Sequence, residues 1–191
     1  MTQETRTVKV MTNGVDVDAL FATIDALKAN TSLANFRFYQ TNQWLGSGHN
    51  QSSVQNFYGA GEEQTQRQEP FVMDADEPPL LLGTDKGANP VEYLLHAVTA
   101  CVTTSMVYHA AARGISIQSL ESRTEGDIDL RGFLAIDDSV PVGFQNIRLT
   151  FKIKSDAPEE DIRKLIEEAP SYSPVFSTLT QSVKVNVGLD R

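Results

Sequence analysis

Asn89–Gly114 reads NPVEYLLHAVTACVTTSMVYHAAARG, and the fold turns on this stretch. Asn89 before Pro90 is a helix N-cap followed by a first-turn proline, whose missing N–H falls where the helix has no acceptor for it. Val91, Leu94, Leu95, Val98, Cys101, Val102, Ser105, Met106 and His109 recur at three- and four-residue spacing. Gly114 after Arg113 is a natural stop. The spacing predicts one helix of about 24 residues, roughly 36 Å long. Glu92, His96, His109 and several threonines make it a buried helix and not a membrane span.

Downstream, Ile115–Leu130 reads as one extended strand, and Ile147, Leu149, Phe151 and Ile153 alternate with Arg148, Thr150, Lys152 and Lys154. These two strands are expected to pair around a turn at Asp137–Pro141. Asp156 with Glu159 has the spacing of a capping box, and Ile162, Leu165, Ile166 and Ala169 give the next helix its apolar face before Pro170. Ser173-Pro174 starts a short helical turn, and Val183, Val185 and Val187 alternate as a closing strand.

Upstream, Val8–Met11 is expected as a short strand. Asp16 or Asp18 then caps a helix with the stripe Val17, Leu20, Phe21, Ile24 and Leu27, ending near Asn30. Three strand-like runs follow, Asn35–Trp44, Val54–Gly59 and Phe71–Asp74, read as an antiparallel meander. Gly59–Glu69 is polar, a loose loop or hairpin tip, and Asp76–Asn89 is a turn-rich approach to the long helix. Segregated helices and antiparallel runs give an α+β fold, with no repeat and no linker. The expected organisation is a single domain over 1–191, with a helical N-terminal extension at 1–33 and a core at 34–191.

A chain of 191 residues with 40% hydrophobic content can bury one core, or one interlocked between two copies. The net charge of -9 repels phosphate backbones and anionic headgroups, which disfavours nucleic acid and membranes as partners. Arg148, Lys152 and Lys154 read as the wet face of a half-buried strand. The opening MTQETRTVKV is polar, without an apolar signal core, so a cytoplasmic location is expected. One cysteine permits neither an internal disulfide nor a multi-cysteine zinc site. Phosphate-loop, dinucleotide, zincin and serine-hydrolase signatures are absent from the sequence.

Cys101 is the strongest candidate nucleophile: a thiolate can attack a peroxide O–O bond and become a sulfenic acid. Between Ala100 and Val102 on an apolar stripe, it also fits as a small core residue. His49, in the run Gly46-Ser47-Gly48-His49-Asn50, sits on an expected flexible loop that can carry an imidazole to a pocket or leave it in solvent. His96 and His109 are too far apart on the helix to share a metal without a third element. Glu92 falls in the first helical turn, where the helix dipole favours a carboxylate.

NPVEYLLHAVTAC, with Cys101 eleven residues after Pro90, resembles the central-helix signature of the OsmC/Ohr family, and SYSPVFSTLT, Ser171–Thr180, is similar to that family's second-cysteine region. The resemblance covers about Phe36 to Val187. It implies an OsmC-like fold of antiparallel sheets around a long central helix, built as an intertwined homodimer. Each interface site would combine the central-helix cysteine with groups from the partner's N-terminal strands. It implies reduction of organic hydroperoxides in oxidative-stress defence, a peroxiredoxin-like activity with no bound cofactor. Three positions depart from the pattern. Ser173 stands where the second cysteine is expected, and a serine cannot resolve a sulfenic acid. The glycine-loop arginine has no match, which leaves His49 as the nearest polar group. Glu92 lies one place after the expected glutamate, a step of about 100° around the helix. The expected site is therefore Cys101 with His49 and Glu92, recycled by an external thiol or dithiol. The alternative is a non-catalytic protein that binds a small apolar molecule in the same interface pocket.

Overall fold

The computed structural model describes residues 9–189, so Val8 of the expected first strand lies outside the described residues. The chain divides into two compact units, one of 9–10 and Asp16–Leu94, the other of Met11–Val15 and 95–189. Two short strands, β1 (Met11–Thr12) and β2 (Val15–Asp16), meet at the turn Asn13-Gly14. Both turn residues are left-handed, φ 53° and 78°, the geometry that an Asn-Gly pair adopts most readily.

In the first unit, helix α1 (Val17–Ala29) starts at Asp16, whose carboxylate accepts from the Ala19 N–H, and ends at Asn30 as expected. The meander contains six strands where the sequence predicts three: β3 (Arg37–Phe38), β4 (Thr41–Gly46), β5 (His49–Val54), β6 (Phe57–Gly59), β7 (Glu62–Gln64) and β8 (Phe71–Ala75). They form two antiparallel sheets, β3-β6-β7 and β4-β5-β8. Of the expected loop Gly59–Glu69, Glu62–Gln64 forms β7, so the hairpin-tip reading holds for its first half. Gly46 pairs with His49, which places His49 at the head of β5 and not in a flexible loop. The connection shrinks to Ser47-Gly48, with Ser47 at φ 48°.

The second unit is organised by α2 (Pro90–Ala112), whose first turns belong to the first unit. Strands β9 (Ile117–Asp127) and β10 (Asn146–Ser155) pair antiparallel, with Leu149 opposite Thr124 and Ile153 opposite Leu120. Exposure alternates along β10 residue by residue, as the sequence predicts. The expected strand Ile115–Leu130 is shorter, because Asp129 caps a one-turn helix, α3 (Leu130–Phe133). Helix α4 (Glu159–Glu168) follows Pro158 without a side-chain cap. The expected capping box fails because Asp156 lies before the helix start and accepts a hydrogen bond from Gln118 instead. Helix α5 (Pro174–Thr180) is capped by Ser173.

The core of this unit is Val98, Val102, Met106 and Ala110 of α2 with Leu165 and Ala169, covered by Leu120, Leu149, Phe151 and Ile153 of the hairpin. On the opposite face of the hairpin, Arg148 pairs with Glu125 and Asp127, and Lys152 approaches Glu121, so the basic stripe is a solvated charge ladder. Val183, Val185 and Val187 form no strand. They are exposed, at 57%, 79% and 96%, and no strand among the described residues lies beside them to complete a ladder.

Candidate functional site

Cys101 is half-buried, while Val98 and Val102 beside it on α2 are buried. One position of helical phase separates them: the core takes the Val98–Val102–Met106 stripe, and Cys101 falls on its flank with Ser105 and His109. The segment beyond α4 lies against that flank. The Ser105 hydroxyl donates to the Tyr172 carbonyl at 3.0 Å, and the His109 ring stacks on Tyr172 with centroids 4.1 Å apart. Burial and the nearby Arg113 guanidinium push His109 below its ordinary imidazole value, opposed by Glu168, which is ion-paired to Arg113. Ser173, next in sequence to Tyr172, is 1% exposed, and its oxygen accepts from the Phe176 N–H at 3.2 Å.

Glu92 belongs to a reciprocal cap. Its carboxylate accepts from the Asn89 N–H and its own N–H donates to the Asn89 side chain, both at 2.9 Å. The spacing Asn-x-x-Glu is a capping box. His49 Nε2 lies 2.8 Å from Asp74 Oδ1, the same oxygen to which Gln51 donates at 3.2 Å. These hydrogen bonds from His49 and Gln51 hold Asp74 below the usual carboxylate range. The Tyr93 hydroxyl donates to the Asp74 carbonyl at 2.7 Å, fixing the backbone behind the pair.

Asp76 is 1% exposed and organises the approach to α2. Its carboxylate accepts from the Thr84 hydroxyl and from the N–H groups of Glu77, Thr84 and Lys86. Led by the Thr84 hydroxyl, these donors hold Asp76 down to about 2. Two glycines make the loop possible: a Cβ on Gly83 would meet the Glu77 carbonyl oxygen at 1.8 Å, and one on Gly87 the Asp74 carbonyl oxygen at 2.0 Å.

The second unit also holds a cavity of about 570 Å³ lined by Val98, Phe144, Ile147, Phe151, Ile166 and Phe176, with Gln145, Asn146 and Thr180 as its polar groups. Cys101 does not line it.

The OsmC-like protein family matches residues 83–188, from the Asp76-tied loop through α5. The chain belongs to the OsmC-like family. The matched region begins well after Phe36, so the family match itself rests on the second half of the chain, α2 and the β9–β10 hairpin included. Solved OsmC-like structures extend the likeness to about three-quarters of the chain. An OsmC-like protein from Mycoplasma pneumoniae is 21% identical, with 75% of this chain and 87% of that one covered and a TM-score of 0.57. An OsmC-like protein of unknown function from Vibrio cholerae is 10% identical, with 74% and 92% covered and a TM-score of 0.54. An organic hydroperoxide resistance protein OsmC from Legionella pneumophila is 16% identical, with 74% and 88% covered and a TM-score of 0.51. No curated protein matches the chain.

In this OsmC-like chain the site residues read from sequence fall in separate environments. Cys101 sits on the flank of α2, His49 at a strand head against Asp74, and Glu92 in the cap at the helix start. Sequence reading missed Asp74 and Asp76. Their alternation, Asp74-Ala75-Asp76, is a signal of a shared strand face, but their partners lie on another strand and beyond a turn. Among the described residues no helix is long and apolar enough to cross a membrane, and no group of three or more His, Cys, Asp or Glu side chains could hold a metal ion.

Proposed function

We propose that this OsmC-like protein is a one-cysteine thiol peroxidase of oxidative-stress defence, acting as a homodimer in the cytoplasm on organic hydroperoxides. The observation that carries the reading is the half-buried Cys101 beside the core stripe, on the flank that also holds Ser105 and His109. A thiol sealed among Val98, Val102 and Met106 would be inert. The hydroperoxide-resistance relative from Legionella pneumophila shares this fold and supports the substrate class.

In the proposed cycle Cys101 reacts as its thiolate, and His49 helps to stabilise the thiolate or the leaving oxygen. The thiolate attacks the terminal oxygen of the hydroperoxide, an S–O bond forms, the O–O bond breaks, and the departing alkoxide takes up the proton the thiol gave and leaves as an alcohol. One external thiol condenses with the Cys101 sulfenic acid, releasing water and leaving a mixed disulfide. A second thiol releases Cys101 and leaves as the oxidised disulfide. Ser173 gives no internal route, so the reductant must come from outside. Glu92 serves the helix start.

Purified protein with excess dithiol should consume cumene hydroperoxide, and Cys101→Ser should abolish turnover. Equal turnover by the two proteins overturns the proposal. A second reading rests on the cavity under β10, whose size and lining suit a small apolar molecule with one polar group. Under that reading an apolar fluorophore binds with equal affinity to wild type and Cys101→Ser, and one equivalent of peroxide leaves the thiol unmodified by mass spectrometry.

A further inference from the structure

The register of β5 and β8 brings two side chains onto one carboxylate. Gln51 stands directly opposite Asp74 in the antiparallel ladder, and Asn50 opposite Ala75. His49 is two residues from Gln51 and so shares its face, diagonal to Asp74, a separation that a long or aromatic side chain can span. The result is His49 Nε2 at 2.8 Å and Gln51 Nε2 at 3.2 Å from the same Asp74 Oδ1. The His49 side chain is 22% exposed and that of Asp74 38% exposed, so the pair is reachable but not freely solvated.

Everything around the pair restrains it. The Asp74 carbonyl accepts from the Tyr93 hydroxyl, and Gly87 closes on the same oxygen without room for a Cβ. The turn that delivers His49 is pinned by Ser47, which donates to the Leu82 carbonyl at 2.8 Å, and by Gly48, packed against Asp76 and Glu77. An ionised carboxylate only accepts, so the imidazole nitrogen facing it carries the proton. Among the described residues, Nδ1 has no hydrogen-bond partner.

We infer that Asp74 is a positioning residue for His49, holding the imidazole with its proton on Nε2 and presenting Nδ1 as the atom that accepts and returns a proton. This rests on the peroxidase reading for its use, but the tautomer itself is independent of any activity. A loop histidine in solvent has no such fixed tautomer. The carboxylate here does for His49 what an orienting acid does in a nucleophile–histidine–carboxylate arrangement: it fixes the ring and stabilises the imidazolium formed in passing.

The test is ¹⁵N NMR of the histidine rings in the full chain above the imidazole titration range, with His49→Gln to identify the signals. The expected result is a single Nε2–H tautomer for His49 in the wild type and a mixed tautomer in Asp74→Ala, while Gln51→Leu keeps the wild-type pattern. Should Asp74→Ala fail to fold, Asp74→Ser removes the reach equally. A mixed or Nδ1–H tautomer in the wild type, or no change on removing Asp74, overturns the inference. In hydroperoxide turnover, Asp74→Ala should lower kcat by at least about tenfold with KM unchanged, and should cost nothing further in a His49→Gln background. Absence of turnover in the wild type defeats the peroxidase reading while the NMR result still decides the role of Asp74.

Discussion

The Ser105 hydroxyl donates to the Tyr172 carbonyl at 3.0 Å, one helical turn beyond Cys101, and thereby fixes the segment that ends at Ser173 against the flank of α2. Ser173, where the resemblance implies a second cysteine, is a buried serine capping α5 at the end of that segment. Ser173→Cys should therefore restore an internal resolving thiol. After one equivalent of peroxide, thiol titration should find both sulfurs consumed and non-reducing mass spectrometry should show the loss of two hydrogens. Persistence of one free thiol would show that the segment does not bring position 173 within reach.

The same serine has a structural cost of its own. Ser173→Ala removes the oxygen that accepts from the Phe176 N–H and leaves that donor at a partly buried helix start. A loss of about 1 kcal/mol in chemical denaturation is expected, with Ser173→Asn closer to wild type because it retains an acceptor.

Asp76 should give the protein its acid sensitivity. Its folded value of about 2 lies below the ordinary 3.8. A depressed carboxylate stabilises the fold above its unfolded value, and that contribution is lost as the pH falls from about 3.8 through about 2. Asp76→Asn should flatten the melting temperature across this window and lower it at neutral pH, where the loop donors lose their charged acceptor. An unchanged acid limb would assign the acid transition elsewhere.

Leu165 is fully buried and closes the core of the second unit against α2. Leu165→Ala should cost roughly 2–5 kcal/mol by urea denaturation, the range for a buried leucine whose surroundings collapse only partly. Leu165→Met, which conserves volume, should cost less than about 1.5 kcal/mol.

Gly87→Ala places a methyl where the Asp74 carbonyl oxygen already stands, at 2.0 Å. The loop must shift, and with it the carbonyl that Tyr93 binds. Lower stability and faster hydrogen exchange at the start of α2 are expected. Tyr93→Phe, which removes only the hydroxyl, should produce a milder form of the same defect.

Local periodicity carried much of this molecule. The residues of α2 repeat at helical spacing over a length that no other element could use, and those of β10 alternate without a break, so both elements were legible, β10 with its buried face. The valines at 183, 185 and 187 alternate just as cleanly, yet make no strand. Alternation states a preference for one face, whereas a strand also requires a neighbour to complete its hydrogen bonds. Asp156 and Glu159 likewise have cap spacing, but Pro158 sets the helix start after Asp156 has turned toward Gln118.

The sequence by itself determined the long helix, the amphipathic hairpin strands, the family and the single thiol at position 101, because each rests on residue type and short-range spacing. Only the tertiary structure decided that Val98, Val102 and Met106 take the core and leave Cys101 at its margin, and that Asp74 rather than solvent meets His49. Those outcomes depend on strand register and on which helical phase the neighbouring elements cover, and both are set by contacts between residues far apart in the chain.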